Sequence, residues 1–376
     1  MMNPGEVLRR LGQSLWYDNI HRGLLESGEL ERLVRDYGIR GVTTNPTIFD
    51  KAISEGHHYD RQIVALASQG LRDEEIYTEL VVHDVRWAAD VLRPVYEASH
   101  GEDGYVSVEV SPALAYDAKG TVAAVEALWQ RIDRPNAMIK IPGTREGLLA
   151  VEQCLRRGIN INVTLLFSVA RYEEVAWAYI RAQEARLASG EPLQRVASVA
   201  SFFVSRVDTL VDQELEARRG ELGPEVDSLL GQAGIVNAKM AYQRFLAILS
   251  HPRFCRLAEM GARPQRLLWA STSTKNPRYS DVMYLEGLIG PHTVNTVPPV
   301  TLEAFCDHGR AEVTLTKGVQ QARAVVERLR SLGVDLEEVA VRLECQGVEL
   351  FLQSYLHTLE SLARKRQLLQ SGAAAP

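Results

Sequence analysis

The chain has 376 residues, 46% hydrophobic and 24% charged, an ordinary globular composition. Its formal charge of -6 and pI near 5.9 speak against a general nucleic-acid binder, which carries a basic balance. They leave room for small anionic substrates, which a few local Arg or Lys side chains can hold.

Read in chain order, short extended segments alternate with longer amphipathic ones. Ser14–Ile20 is the first strand candidate, with Asp18 near its end, and Gly23–Tyr37 reads as a helix. Gly41–Pro46 is the second strand, closing on Thr43-Thr44-Asn45-Pro46. A long insertion, Asp50–Asp103, follows and contains the helical stretch Glu74–Ser99. Strand candidates Gly104–Pro112, Asn136–Pro142, Ile159–Phe167 and Arg195–Val204 come next, separated by helical patterns at Thr121–Arg131, Arg145–Arg157 and Ala170–Ser189. Asp208–Leu249 reads as helical, Arg266–Ser273 and His292–Val297 as strands, Gly318–Leu332 as a helix, and Leu336–Leu369 as one or two closing helices. The tail, Gln370–Pro376, is expected to be disordered. Eight strand–helix units predict a parallel sheet with right-handed crossovers, closed into a (β/α)₈ barrel. Extra helices fall after strands two and six and at the C-terminus. No repeat or linker divides the chain, so residues 1–376 read as one barrel domain.

Cys154, Cys255, Cys306 and Cys345 show no metal-type spacing and read as reduced, partly buried thiols. Met1–Arg10 has no apolar core of signal-peptide length, and no stretch approaches the roughly 18 apolar residues of a membrane span. A cytoplasmic protein that binds neither membrane nor nucleic acid is expected. His57-His58 lacks a third ligand nearby, so no metal and no cofactor is expected, and there is no Gly-rich phosphate cradle.

Alternation within the strands says where the chemistry sits, because successive strand side chains point to opposite faces. Val106, Val108 and Val110 oppose Ser107 and Glu109; Ala137, Ile139 and Ile141 oppose Met138 and Lys140; Ile161, Val163 and Leu165 oppose Asn160, Asn162 and Thr164. The apolar faces must cover the helices, so the polar ones point into the barrel. Barrel interiors are usually filled by branched apolar residues, and Glu, Lys, Asn and Thr near the C-terminal strand ends therefore mark a site. Lys140, among apolar neighbours, reads as a desolvated amine able to attack a carbonyl; the bland reading is a Lys paired with a core carboxylate or snorkelling to water. Glu109, inside a Val-rich strand, and Asp18 are the carboxylates that could divide acid and base roles, although Asp18 also suits a turn or cap. Asn45 before Pro46 is equally a turn signal, and Asn162 and Thr164 could be core hydrogen-bonders. Arg206 and Lys275, after the sixth and seventh strands, suit a phosphate, or are simply solvated cations.

Taken together these segments resemble the transaldolases, over nearly the whole chain and in the same order. The likeness is carried by Trp16-Tyr17-Asp18, Gly41-Val42-Thr43-Thr44-Asn45-Pro46, Val108-Glu109-Val110, Ile139-Lys140-Ile141-Pro142, Asn160-Ile161-Asn162-Val163-Thr164-Leu165-Leu166-Phe167-Ser168 and Ser201-Phe202-Phe203-Val204-Ser205-Arg206. Length and C-terminal helices resemble the longer bacterial type. The resemblance implies that Lys140 forms an imine with C2 of a ketose phosphate and that Asp18 handles the C4 hydroxyl proton as C3–C4 breaks. It implies that Glu109 and Thr164 hold the water of imine formation and hydrolysis. Thr43, Asn45, Asn162 and Ser201 would bind the dihydroxyacetone part, Phe203 would line the site, and Arg206 and Lys275 would take the phosphate. The implied partners are fructose 6-phosphate, sedoheptulose 7-phosphate, erythrose 4-phosphate and glyceraldehyde 3-phosphate. The shorter members carry Arg where Lys275 stands, a bidentate fork in place of a point charge, and Pro after the Ser that matches Ser201. The nearest alternative is a Schiff-base fructose-6-phosphate aldolase on the same barrel. Those relatives carry Gln in place of Glu109 and Tyr in place of Phe203. A catalytically silent sugar-phosphate-binding barrel is the alternative of another class, and it has no use for a buried amine.

Overall fold

Each of the eight extended segments becomes a strand of one closed parallel barrel in a computed structural model that describes residues 3–371. The strands are β1 (Gln13–Tyr17), β2 (Gly41–Thr43), β3 (Tyr105–Glu109), β4 (Ala137–Pro142), β5 (Ile161–Leu166), β6 (Ser198–Phe203), β7 (Arg266–Ala270) and β8 (Thr293–Val297). They follow one another around the barrel in sequence order, and β8 closes on β1 with Trp16 opposite Thr296. Helices surround them, giving the expected (β/α)₈ architecture. Among the described residues no helix is long and apolar enough to cross a membrane. Of the tail expected to be disordered, residues 372–376 lie outside the described part, while Gln370 ends the last helix.

The helices differ from the sequence reading chiefly at prolines. Pro4–Arg10, Pro46–Glu55, Pro252–Glu259 and Pro299–His308 are all helices that begin on a Pro. A Pro reads as a breaker, yet at the first helical position its missing N–H costs nothing and its fixed φ already suits the helix. Gly23–Tyr37 splits at Gly28, whose φ of 71° cannot continue a helix. Asp208–Leu249 breaks into Ser205–Ala217 and Ala233–Leu249, joined by a one-turn helix, Arg219–Leu222, and a 3-10 helix, Gly223–Ser228. The closing segment is a single helix of 35 residues, Leu336–Gln370.

Strand alternation sorts the buried residues into two sets. Leu15, Val42, Val106, Val108, Ile139, Ile141, Ile161 and Val163 pack with the helices, while Trp16, Tyr105, Met138, Leu268 and Val294 form the other set, inside the barrel. Gly41 is required here, since a Cβ on it would meet the Trp16 ring at 2.4 Å. Alternation fails once. Leu165 was expected beside Ile161 and Val163, but the β5–β6 register shifts between Val163 and Leu166, and Leu165 has φ 59°. This bulge re-aims Leu165 away from the outer set, and Leu166 takes its place there. A second correction concerns the thiols: only Cys154 is buried, and Cys255, Cys306 and Cys345 are exposed.

Candidate active site

Eleven residues were singled out by sequence, and nine of them line one space at the C-terminal end of the barrel, with Glu109 and Asn162 beside them. The mouth is a cavity of about 720 Å³ whose wall includes Asp18, Thr43, Asn45, Lys140, Thr164, Ser201, Phe203, Arg206 and Lys275. Glu109 stands behind Lys140, outside that wall. Asn162 lies deeper still: it is fully buried, its Nδ2 donates to Ser107 Oγ at 3.0 Å, and its Oδ1 accepts from Ser201 Oγ at 2.6 Å. Any part it plays for a ligand in the mouth runs through Ser201.

Register places the charged centre. Glu109 on β3 is opposite Lys140 on β4, which is opposite Asn162 on β5. The Lys140 ammonium is buried; it donates to the Thr44 carbonyl at 2.9 Å and lies 2.5 Å from Glu109 Oε1. That second contact is an ion pair, and among the described residues neither Glu109 oxygen has any other partner. Burial pushes the Glu109 carboxyl above the usual range, and the attraction of Lys140 only partly offsets this. Thr164 Oγ1 is likewise buried without a partner. Glu109 and Thr164 share the wall of a chamber of about 10 Å³, room for one water.

Asp18 closes the other side. Its Oδ1 accepts from Thr43 Oγ1 at 2.6 Å, and Thr43 Oγ1 lies 2.7 Å from Thr296 Oγ1, so with Asp18 ionised Thr296 must be the donor of that pair. Enclosure raises the Asp18 carboxyl, against the pull of Lys140, Thr43 and Lys275. Asn45 has a structural role as well, since its Oδ1 caps the mouth helix Pro46–Glu55 by accepting from the Ile48 N–H at 3.2 Å.

Two cations face the mouth from neighbouring strand ends. Among the described residues Arg206 makes no hydrogen bond or ion pair; its guanidinium carbon lies 5.6 Å from the Phe203 ring centre and 6.0 Å from that of Phe351. Lys275 donates to Ser273 Oγ at 2.7 Å. Partial burial and the nearby Arg206 lower the Lys275 ammonium, as two cations awaiting an anion would. Ser271, in the same wall, is held at φ 54° with its Oγ 2.9 Å from Ser205 Oγ. Strain of this kind collects at binding loops.

Sequence reading missed several wall residues: Thr296, His21, Lys51, Tyr59 and Phe351. Thr296 shares the inward face with Val294 and the alternation argument reaches it. Phe351 carried no such signal, being one apolar residue on a long amphipathic helix. His57 and His58 part company, the one pairing with Asp60 and the other with Glu26. Among the described residues no three His, Cys, Asp or Glu side chains gather as a metal site.

An electrophile's partner (Lys140), two carboxyls biased toward the neutral form, and an anion seat at the far end make an arrangement suited to imine chemistry on a phosphorylated carbonyl compound. The family model described as Transaldolase/Fructose-6-phosphate aldolase matches residues 15–362. The chain is 48% identical to the transaldolase of Thiobacillus denitrificans, covering 94% of this chain and 98% of that one. It is 46% identical to transaldolase 2 of Nostoc sp., covering 96% and 97%, and 46% identical to the transaldolase of Parafrankia sp. over the whole of both chains.

Proposed function

The chain belongs to the transaldolase/fructose-6-phosphate aldolase family, and from that premise we propose the roles of its residues in moving a dihydroxyacetone unit between sugar phosphates. The activity is that of a transaldolase, a transferase, as its relatives' names agree over nearly full length. The donors are fructose 6-phosphate or sedoheptulose 7-phosphate, and the acceptors erythrose 4-phosphate or glyceraldehyde 3-phosphate. A cytoplasmic setting goes with that chemistry.

Lys140 Nζ attacks C2 of the ketose. The C2 oxygen leaves as water, with the proton handled at Glu109, and the Thr164 hydroxyl holds that water in the chamber they share. Asp18 takes the C4 hydroxyl proton as C3–C4 breaks. The electron pair flows into the protonated imine, leaving an enamine. Thr43, Asn45 and Ser201 hold the three-carbon part, Asn162 acting through Ser201, and Arg206 and Lys275 take the phosphate. The enamine attacks the acceptor aldehyde, and water then hydrolyses the imine to free Lys140.

The single observation that carries this reading is the buried Lys140 amine 2.5 Å from a carboxylate that has no other partner among the described residues. The aldolase alternative is weaker because Glu109 and Phe203 stand where those relatives have Gln and Tyr. The test is borohydride reduction with fructose 6-phosphate. A reduced three-carbon adduct should appear on the peptide holding Lys140 and vanish in Lys140→Ala together with turnover. Without an acceptor, wild type should release about one aldehyde per site and stall; steady release of dihydroxyacetone at the transfer rate would establish the aldolase instead.

A further inference from the structure

Among the described residues the C-terminal helix reaches the mouth through one side chain, Phe351, and lines the small chamber with Val348 and Phe351. At β5 the bulge with Leu165 at φ 59° turns that side chain toward the helix Leu336–Gln370. A Cβ on Gly347 would come within 3.0 Å of Leu165 Cδ2, so Gly347 lets the helix lie close at this point. One turn further along, Phe351 sits over the barrel. It is 8% exposed and belongs to two walls at once, that of the mouth and that of the small chamber shared by Glu109 and Thr164. Its ring and that of Phe203 both lie beside the Arg206 guanidinium, with ring centres 6.0 and 5.6 Å from the guanidinium carbon. Lys365, near the end of the same helix, ties it to the mouth helix Pro46–Glu55 by donating to the Ile53 carbonyl at 2.9 Å, and pairs with Asp60 at 2.7 Å.

We propose that Phe351 is a specificity-determining residue: its ring steadies Arg206 for the phosphate and screens the Glu109–Thr164 chamber from the mouth, so that the enamine goes to the acceptor aldehyde and not to protonation. The two fates differ in one bond. In transfer, C3 of the enamine bonds to the aldehyde carbon, and the aldehyde oxygen takes a proton to become a hydroxyl. In leakage, C3 bonds to a proton from water. In both, water then adds to C2 of the protonated imine, and the C2–Nζ bond breaks to give a ketone and free Lys140. Water is needed at C2 and harmful at C3, so an apolar wall between the chamber and the mouth favours transfer. An Arg with no polar partner among the described residues gains its pose from the aromatic rings beside it.

This inference rests on the reading of Arg206 and Glu109 given above, and variants at Phe351 and Arg206 separate the layers. Phe351→Leu keeps the apolar screen and removes the ring. It should raise KM for fructose 6-phosphate by about two- to thirtyfold, the range a cation–π contact supports. The unphosphorylated donor fructose should be little changed, and the ratio of dihydroxyacetone release to transfer should stay that of wild type. Phe351→Val opens the screen and should raise that ratio several-fold, measured as dihydroxyacetone formed with and without erythrose 4-phosphate. Equal loss with both donors in Phe351→Leu, or an unchanged ratio in a folded Phe351→Val, would reduce Phe351 to a packing residue. Should Phe351→Val fail to fold, Phe351→Met offers the same ratio measurement with a flexible side chain that screens less completely. If Arg206→Ala itself leaves phosphate recognition intact, the reading of the phosphate site is what fails.

Discussion

The barrel encloses carboxylates at both ends, Asp103 fully and Asp18 and Glu109 for the greater part, and the two ends treat them oppositely. At the N-terminal end Asp103 accepts from Ser14 at 2.7 Å, Trp16 Nε1 at 3.3 Å, Arg40 at 2.9 Å and Arg266 at 2.9 Å. Burial alone would raise its carboxyl, but Arg266, Arg40 and these hydrogen bonds outweigh it and hold the group below the usual range. At the C-terminal end Glu109 has a single ion pair and Asp18 a single hydroxyl donor, and burial wins at both. Enclosure thus yields a locked charge at one end and poised acids at the other, decided by how many donors converge. The locked end stabilises the barrel; the poised end keeps proton capacity for a ligand.

The largest break in that comparison should come at Glu109. Glu109→Gln keeps the shape and removes the proton carrier, so imine formation should slow by about 10²–10⁴-fold while the fold persists. Rapid-quench counting of the borohydride-trapped adduct measures the rate; unchanged kinetics would move Glu109 to a purely structural role. Asp103→Asn should do the reverse, leaving the chemistry of surviving molecules intact but costing about 3–5 kcal/mol of stability, the loss expected when a buried pair loses one charge. Its pH dependence has a definite sign. Because the folded-state carboxyl is depressed, the stability it gives is present above the unfolded value near ~3.9 and is lost as pH falls through the folded one. The deficit of Asp103→Asn in urea should therefore shrink in acid, and a deficit equal at all pH values would refute the locked-charge picture.

The poised end was more legible in sequence than the locked one. Lys140, Glu109 and Thr164 stand out because a polar residue on an inward strand face is unusual, and strand period two places it without any tertiary knowledge. Asp103 lies just before β3, in a turn where an acid is commonplace, and its partners Arg40 and Arg266 are 63 and 163 residues away. Nothing local marks that cluster. Phe351 was invisible for a related reason: its role depends on a bulge in β5 and a glycine in a distant helix meeting in space. The four Pro-initiated helices escaped because the same residue stops one helix and starts another, and only the direction of the chain beyond it decides.

Phosphate recognition is the next smaller effect. Arg206→Ala or Lys275→Ala should raise KM for phosphorylated donors by a loss of about 1.5–3 kcal/mol, the size of a charged hydrogen bond. Unphosphorylated fructose should be nearly indifferent. Comparing the two donors in steady-state kinetics checks it; equal losses would mean that the cations act on the fold. Among the described residues neither pairs with a carboxylate, so their removal should leave stability almost untouched, unlike that of Arg266.

The smallest expected effect is the most direct test of the poised end. Asp18 has a folded-state carboxyl raised by enclosure, with Lys140, Thr43 and Lys275 pulling the other way and losing. The folded protein therefore holds this proton more tightly than the unfolded chain does. As pH rises past the unfolded value near ~3.9, the unfolded chain ionises first, so stability falls with rising pH until the folded group has ionised too. At pH 7 the charge is a net cost. Asp18→Asn removes that cost and keeps an oxygen to accept from Thr43, so it should abolish proton transfer at the C4 hydroxyl yet make the protein more stable at neutral pH. The gain should lie within the ~0.5–2 kcal/mol that single stabilising substitutions commonly give, and it should vanish below pH ~4, where the native carboxyl is neutral in both states. Urea midpoints of wild type and Asp18→Asn at acid and neutral pH decide it. A variant less stable than wild type at neutral pH would mean that the attraction of Lys140 outweighs burial, and that Asp18 is as locked as Asp103.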